Sequence, residues 1–352
     1  MKESEFIQIF INPLYEDRLS INEINNVIYD EVIHMADKFL MPTQIKNNLI
    51  FNTSTSNILT TELDKIANIS KLKNLINKNE VARISKLYIK NGIEHVFLKG
   101  SAINLLSDDY ARYSRDIDIL VAKNSIPKAY QLLKEIGYSY MNPLVSDTTK
   151  YINSGHHLPI LSHSNGALIE IHHRLTRKSS FKECPLTKTI ITKSITVDKN
   201  GVRIHIPDIN HLIAHLTYHS VVQHTFNLGP IFLYDIKFLR SFLKEKEGLI
   251  NLLNKCDLEK DYMKIVDYID NKKTIDIFGI YNQYKFKSYN EKNPKKFTYL
   301  LLSKKGRLDF LDIMRKKFEF NEDIYQTSKF SIKFYLILLI TLKNHILRLL
   351  KH

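Results

Sequence analysis

The residues in this chain best suited to chemistry are Lys99-Gly100-Ser101 and, fifteen positions after Ser101, Asp116-Ile117-Asp118. Alternate residues of a strand point to one face, so Asp116 and Asp118 are expected to project together. Two like charges held in an apolar setting repel unless a cation lies between them. Hard oxygen ligands of this kind suit Mg²⁺ or Mn²⁺. Gly100 and Ser101 sit where a short apolar strand turns into a helix. Glycine there permits close backbone approach, Ser101 adds a hydroxyl, and the helix start offers free N–H groups to a phosphate. A phosphate donor beside metal-binding carboxylates is the arrangement of phosphoryl or nucleotidyl transfer. Glu170, in Leu-Ile-Glu-Ile-His at 168–172, is the candidate third carboxylate, and by alternation it shares a face with His172. An ionised glutamate in an apolar strand needs a partner: a metal, or an ion pair with Arg174 or Arg112.

These side chains need rigid elements to hold them. Residues 93–98 and 116–121 read as short β-rich strands, 167–172 as a third strand after a turn at Asn165-Gly166, and 190–197 with 202–206 as a hairpin through Asn200-Gly201. Residues 102–106 look helical, and 125–136 reads as an amphipathic helix opened by Ser125 and closed by Gly137. Before this core, Ile21, Ile24, Ile28 and Val32, and then Leu72, Leu75 and Ile76, recur at helical spacing. After it, 209–222, 234–244 and 247–256 carry apolar helical faces, and a final helix is expected over about 331–350. The expectation is an α+β fold. A small mixed core (93–206) lies between an N-terminal helical region (1–92) and a C-terminal helical region (207–352).

Composition supports a folded, reduced protein. The 352 residues are 44% hydrophobic and 25% charged, which excludes wholesale disorder. Two cysteines, Cys184 and Cys256, exclude a disulfide framework and a cysteine-built zinc site. The net charge of +14 favours anionic partners such as nucleotides or nucleic acid, although lysine-driven solubility produces the same sign. The opening residues lack the pattern of a secretory signal. The longest apolar run, 334–342, is half of what spans a bilayer. A cytoplasmic location follows as the expectation.

Lys-Gly-Ser, Tyr110, Arg112 four residues before Asp116, and Asp-Ile-Asp-Ile-Leu-Val together resemble the DNA polymerase β-type nucleotidyltransferase superfamily. Within it the chain is most similar to the bacterial uncharacterised nucleotidyltransferase group. His156-His157-Leu158-Pro159, Ile169-Glu170-Ile171-His172 and the helical run from Pro207 through His219 to Tyr234-Asp235 also fit that group, over about residues 66–240. The resemblance implies an NTP-dependent, ATP-binding enzyme. Gly100 and Ser101 would hold the triphosphate, and Asp116, Asp118 and Glu170 would bind two Mg²⁺. An acceptor oxygen would attack the α-phosphate, with Asp118 or Glu170 helping to deprotonate it. Arg112 and His172 are placed with the nucleotide, and Lys99 either reaches a phosphate or caps the strand. The acceptor is left open among RNA (tRNA in particular), a protein hydroxyl and a small molecule. A toxin-like tRNA-nucleotidylating enzyme and a catalytically silent nucleotide- or RNA-binding module on the same fold are the alternatives.

Other features carry less. His211, His215 and His219 share a helical face at a spacing that also suits a transition metal; the face is an ordinary one, one turned to the nucleotide or acceptor, or a metal site without an acidic partner motif. Asp235 reads as a tie between helices. The basic-aromatic stretch at 284–287 suits an RNA backbone or a solvated loop. The terminal helix reads as packed, with membrane-surface or partner contact as the alternative. No nucleophile triad, Walker A loop or dinucleotide fingerprint is present.

Overall fold

The computed structural model describes residues 6–15, 19–20, 29–50, 57–108, 112–141, 151–152, 155–175, 186–224 and 229–271. Tyr110, the basic-aromatic stretch and the expected terminal helix lie outside these residues.

After a π-helical turn at Ile7–Ile11 and a 3-10 turn at Asn12–Tyr15 come three α-helices: α1 (Tyr29–Lys38), α2 (Pro42–Asn48) and the 34-residue α3 (Asn57–Lys90). Leu72 and Leu75 fall on α3 at the expected spacing, yet both are more than half exposed. The polypeptide then runs through β1 (His95–Phe97), α4 (Lys99–Leu106), β2 (Ile117–Val121) and α5 (Ile126–Glu135). Next come β3 (Ser139–Tyr140), β4 (Leu161–Ser162) and β5 (Leu168–His172). Helix α6 (Leu186–Thr192) precedes the hairpin of β6 (Ser194–Lys199) and β7 (Val202–Pro207). Helices α7 (Ile209–Tyr218), α8 (Ile231–Arg240), α9 (Lys246–Lys255) and α10 (Glu259–Asn271) follow. The fold is mixed α+β.

Local chemistry explains most of these boundaries. Asp208 caps α7 by accepting the His211 backbone N–H at 2.8 Å. Asn200 and Gly201, at φ 55° and 73°, make the two-residue turn of the β6–β7 hairpin. Ser125 precedes α5 but makes no side-chain cap bond. Pro127 in the first turn starts the helix instead, and Gly137, at φ 98°, ends it. The β-branched run Thr-Ile-Ile-Thr at 189–192 reads as strand but is the end of α6, because Leu186 and Ile190 are buried four residues apart on one helical face.

The five-stranded sheet has the order β1-β2-β5-β4-β3. Strands β2 and β5 are parallel, pairing Asp118 with Glu170 and Leu120 with His172, while every other neighbour is antiparallel. Ile117, Ile119, Val121, Ile169 and Ile171 are fully buried. By alternation Asp118, Leu120, Glu170 and His172 occupy the opposite face of the two central strands. The apolar side anchors the strands, and the polar side is held in register by the same ladder.

Candidate active site

Asp116, expected from sequence as the first residue of the strand, lies in the bend one residue ahead of β2, and Asp118 is the strand's second residue. The parallel register sets Glu170 beside Asp118, and His172 follows two residues along the same face. The Nε2 atom of His172 is 2.8 Å from Asp118 Oδ1 and 3.4 Å from Glu170 Oε2. Single ligand atoms of Asp118, Glu170 and His172 all fall within 4.8 Å of one another. Two carboxylates and an imidazole at that spacing fit a divalent cation.

Lys99 enters this cluster from the neighbouring strand. The Leu98 N–H donates to the Asp118 carbonyl at 2.9 Å, extending the β1–β2 ladder to the edge of the site. Lys99 follows at φ 48°, a conformation costly for a residue with a Cβ. Its Nζ lies 2.7 Å from Asp118 Oδ1.

The charges set one another. Burial pushes the Asp118 carboxyl up, but Lys99 and His172 outweigh this and hold it well below the usual range. Burial and the Asp118 charge push Asp116 up to about 7. Burial also acts against ionised Glu170, yet its contact with His172 leaves it below an ordinary glutamate. Burial disfavours the charged forms of Lys99 and His172, but the carboxylates raise both above their ordinary values. The pocket is thus a compact set of interlocking ions.

Ser101, in the first turn of α4, is 6% exposed and its Oγ has no hydrogen-bond partner. The Nδ1 atoms of His172 and His215 are likewise buried without partners. Buried polar atoms of this kind mark where a ligand or water completes a site. His215 and His219, whose role the sequence left open, are close enough to feel Lys99 and Asp118. Burial lowers the pKa of both, His215 to about 3, so both are neutral. His211 instead bonds Asp208 and Thr189. The rings of His156 and His157 pack around His172, with centroids 5.8 and 5.2 Å from it.

Two residues assigned to the nucleotide from sequence have structural roles here. Arg112 Nε lies 2.7 Å from Asp235 Oδ2 on α8, in a pair that is almost fully buried. A Cβ placed on Gly100 would meet Arg112 Nη1 at 2.3 Å and Ser114 Oγ at 2.7 Å. Arg112 and Ser114 therefore require glycine at position 100, and close phosphate approach is not needed to explain it. Of the ion-pair partners weighed for Glu170, Arg112 is on Asp235 and Arg174 donates to the Gly155 carbonyl at 2.8 Å. The Asp118–His172 bond and the Lys99–Asp118 pair had no sequence signal beyond strand alternation.

A cavity of about 390 Å³ opens between α3 and the segments around Tyr113–Arg115 and Asn165–Leu168. Its walls include Leu72 and Lys73 of α3, Tyr113, Arg115, Asn165 and Leu168. Arg115 adjoins Asp116 in the chain, and Leu168 precedes Ile169, which pairs with Ile117. The cavity therefore borders the start of β2. No helix among the described residues is long and apolar enough to cross a membrane.

The family model described as "uncharacterised nucleotidyltransferase" matches residues 47–270. An antigenic nucleotidyltransferase-like protein from Paracoccidioides brasiliensis is similar in fold, at 16% identity and TM-score 0.36, over 57% of this chain and 95% of that one. ANT(2")-Ia, solved in complex with adenylyl-2"-tobramycin, is similar at 12% identity and TM-score 0.35, over 54% of this chain and 98% of that one. No curated protein matches in sequence. The family match covers well over half of the chain and every residue of the site from Lys99 to Asp235, so the chain belongs to the uncharacterised nucleotidyltransferase family.

Proposed function

We propose that the protein is a metal-dependent nucleotidyltransferase that moves an NMP from an NTP to a hydroxyl or phosphate acceptor and releases pyrophosphate. The observation that carries this reading is the convergence of Asp118, Glu170 and His172 within 4.8 Å on one sheet face, with the buried, partnerless Ser101 hydroxyl two residues after Lys99, which pairs with Asp118. Asp118 and Glu170, with Asp116 beside them, would hold the divalent cation. When bound, that ion supplies electrostatic stabilisation of charge on the reacting phosphate.

The chain's own groups do the rest. Ser101 donates to a phosphate oxygen, and the N–H groups at the start of α4 add partial positive charge. The acceptor oxygen forms a bond to the α-phosphorus as the bond to the β-phosphate oxygen breaks. The acceptor's proton passes to a carboxylate of the site. His215 and His219, neutral and close enough to feel Lys99 and Asp118, add no charge to the site. The cavity lined by Leu72, Tyr113 and Arg115 is the space we assign to the acceptor, since Arg115 on its wall immediately precedes Asp116 in the chain.

The test uses α-³²P-labelled NTPs, Mg²⁺ or Mn²⁺, and a cell extract fractionated into RNA, protein and small molecules. Label entering one fraction, and lost in Asp116→Asn/Asp118→Asn, supports the reading and names the acceptor class. Absence of label together with absence of metal-dependent NTP binding by calorimetry contradicts it.

A further inference from the structure

Lys99 is the one strongly basic side chain that reaches into the carboxylate cluster among the described residues, and its position is held against backbone strain. The Leu98–Asp118 backbone bond fixes where the chain leaves β1, and at φ 48° Lys99 takes a conformation that glycine would adopt freely. What lysine adds at this position is its ammonium. Nζ lies 2.7 Å from Asp118 Oδ1, with the two side chains 16% and 3% exposed. The same oxygen accepts from His172 Nε2 at 2.8 Å, and Asp116 and Glu170 also act on the ammonium. Oδ1 of Asp118, an oxygen that a metal could use, is thus already engaged by a cation tethered to the chain.

We infer that the Lys99 ammonium is a built-in counter-cation that holds the place of a divalent ion at Asp118, so that metal enters this site only by displacing it. The inference rests on the metal-binding reading above and goes beyond it: Lys99 is a positioning residue that weakens metal binding to the free protein. The displaced ammonium has a next partner in the triphosphate proposed to lie at Ser101, two residues away. Nucleotide would thereby favour metal entry.

The experiment titrates the full chain with Mn²⁺ alone, without nucleotide, and reads free Mn²⁺ by electron paramagnetic resonance. Lys99→Met should bind Mn²⁺ at least tenfold more tightly than wild type, and Lys99→Arg, which keeps the charge, should bind like wild type. Mn²⁺ should also raise the Tm of Lys99→Met by more than that of wild type, because only the variant leaves the carboxylates without the lysine. If Lys99→Met does not fold, Lys99→Gly removes the ammonium and the backbone strain together, and the same tenfold gain is expected. Equal or weaker Mn²⁺ binding by the lysine-free variants, with binding abolished in Asp118→Asn, overturns the inference and leaves the metal site standing. No Mn²⁺ binding by wild type or any variant overturns the metal site and the inference with it.

Discussion

Arg112 and Asp235 lie 123 residues apart in sequence and form a buried ion pair, with Nε 3.0 Å from Oδ1 and 2.7 Å from Oδ2. The pair fastens the segment that leads into β2, and hence Asp116 and Asp118, to helix α8. Asn74 and Asn104 secure the same segment by donating to the Arg112 carbonyl, each at 2.8 Å. Asp235→Ala leaves a buried guanidinium without its carboxylate and is expected to cost about 3–5 kcal/mol of stability. Arg112→Met/Asp235→Leu removes both charges and should recover most of that loss. Urea unfolding of the wild type, Arg112→Met, Asp235→Leu and Arg112→Met/Asp235→Leu measures the coupling directly.

The same arginine explains Gly100. An alanine there places Cβ 2.3 Å from Arg112 Nη1, so Gly100→Ala is expected to destabilise by about 1–3 kcal/mol through overpacking. The penalty should shrink when Arg112 is already Met, because the crowded group is then gone. An additive result would mean that Arg112 is not what excludes the methyl group.

Ser101→Ala separates binding from folding. The hydroxyl is buried and has no partner, so its removal should leave stability unchanged or slightly raised. NTP affinity in the presence of Mg²⁺ should fall about ten- to a hundred-fold, the value of one hydrogen bond to a charged group. Thermal melts and calorimetric titration of the same preparation report the two quantities.

Filling the cavity lined by Leu72, Tyr113 and Arg115 tests the place assigned to the acceptor. Leu72 is 59% exposed on its rim, so Leu72→Trp adds bulk with little cost to the core. NTP binding should stay within about twofold of wild type, while transfer of label should fall at least tenfold. Equal transfer by the variant would place the acceptor elsewhere.

His95 gives a pH dependence of known sign. It is buried among Tyr88, Phe97 and His205, and burial lowers its pKa to about 4. The unfolded chain binds this proton near pH 6.5, the folded chain only near pH 4. The stabilisation is therefore complete above about 6.5 and is lost as the pH falls toward 4. Between pH 6.5 and 5 the loss attributable to His95 is about 2 kcal/mol, at about 1.4 kcal/mol per pH unit. His95→Gln should flatten the stability curve by that difference, read from urea unfolding at both pH values. A parallel curve would show that His95 titrates normally in the folded protein.

The legible parts of the site are those that local pattern controls. Strand alternation is enough to place Asp118 on one face and to put Glu170 with His172, and the apolar residues between them announce buried strands. The parallel pairing that sets Asp118 beside Glu170 is a property of the sheet, and no local signal carries it. Strands β3 and β4 have only two residues each, too few for a periodicity to show. The Arg112–Asp235 pair joins segments far apart in the chain, so the guanidinium packed against Gly100 has no local signal, and the glycine reads from sequence by its phosphate role alone. Lys99 is obscured for another reason: a lysine at positive φ has no sequence signature, and its ammonium was expected on a phosphate or at the strand end.

The central claim is nucleotidyl transfer, and the most direct measurement compares one NTP labelled at the α-phosphate with the same NTP labelled at the γ-phosphate, each incubated with the protein, Mg²⁺ and the extract fractions. The account predicts that α-label enters an acceptor fraction, that γ-label appears only in pyrophosphate, and that Asp118→Asn abolishes both. Entry of γ-label into the acceptor, or α-label transfer that survives in Asp118→Asn, would contradict it.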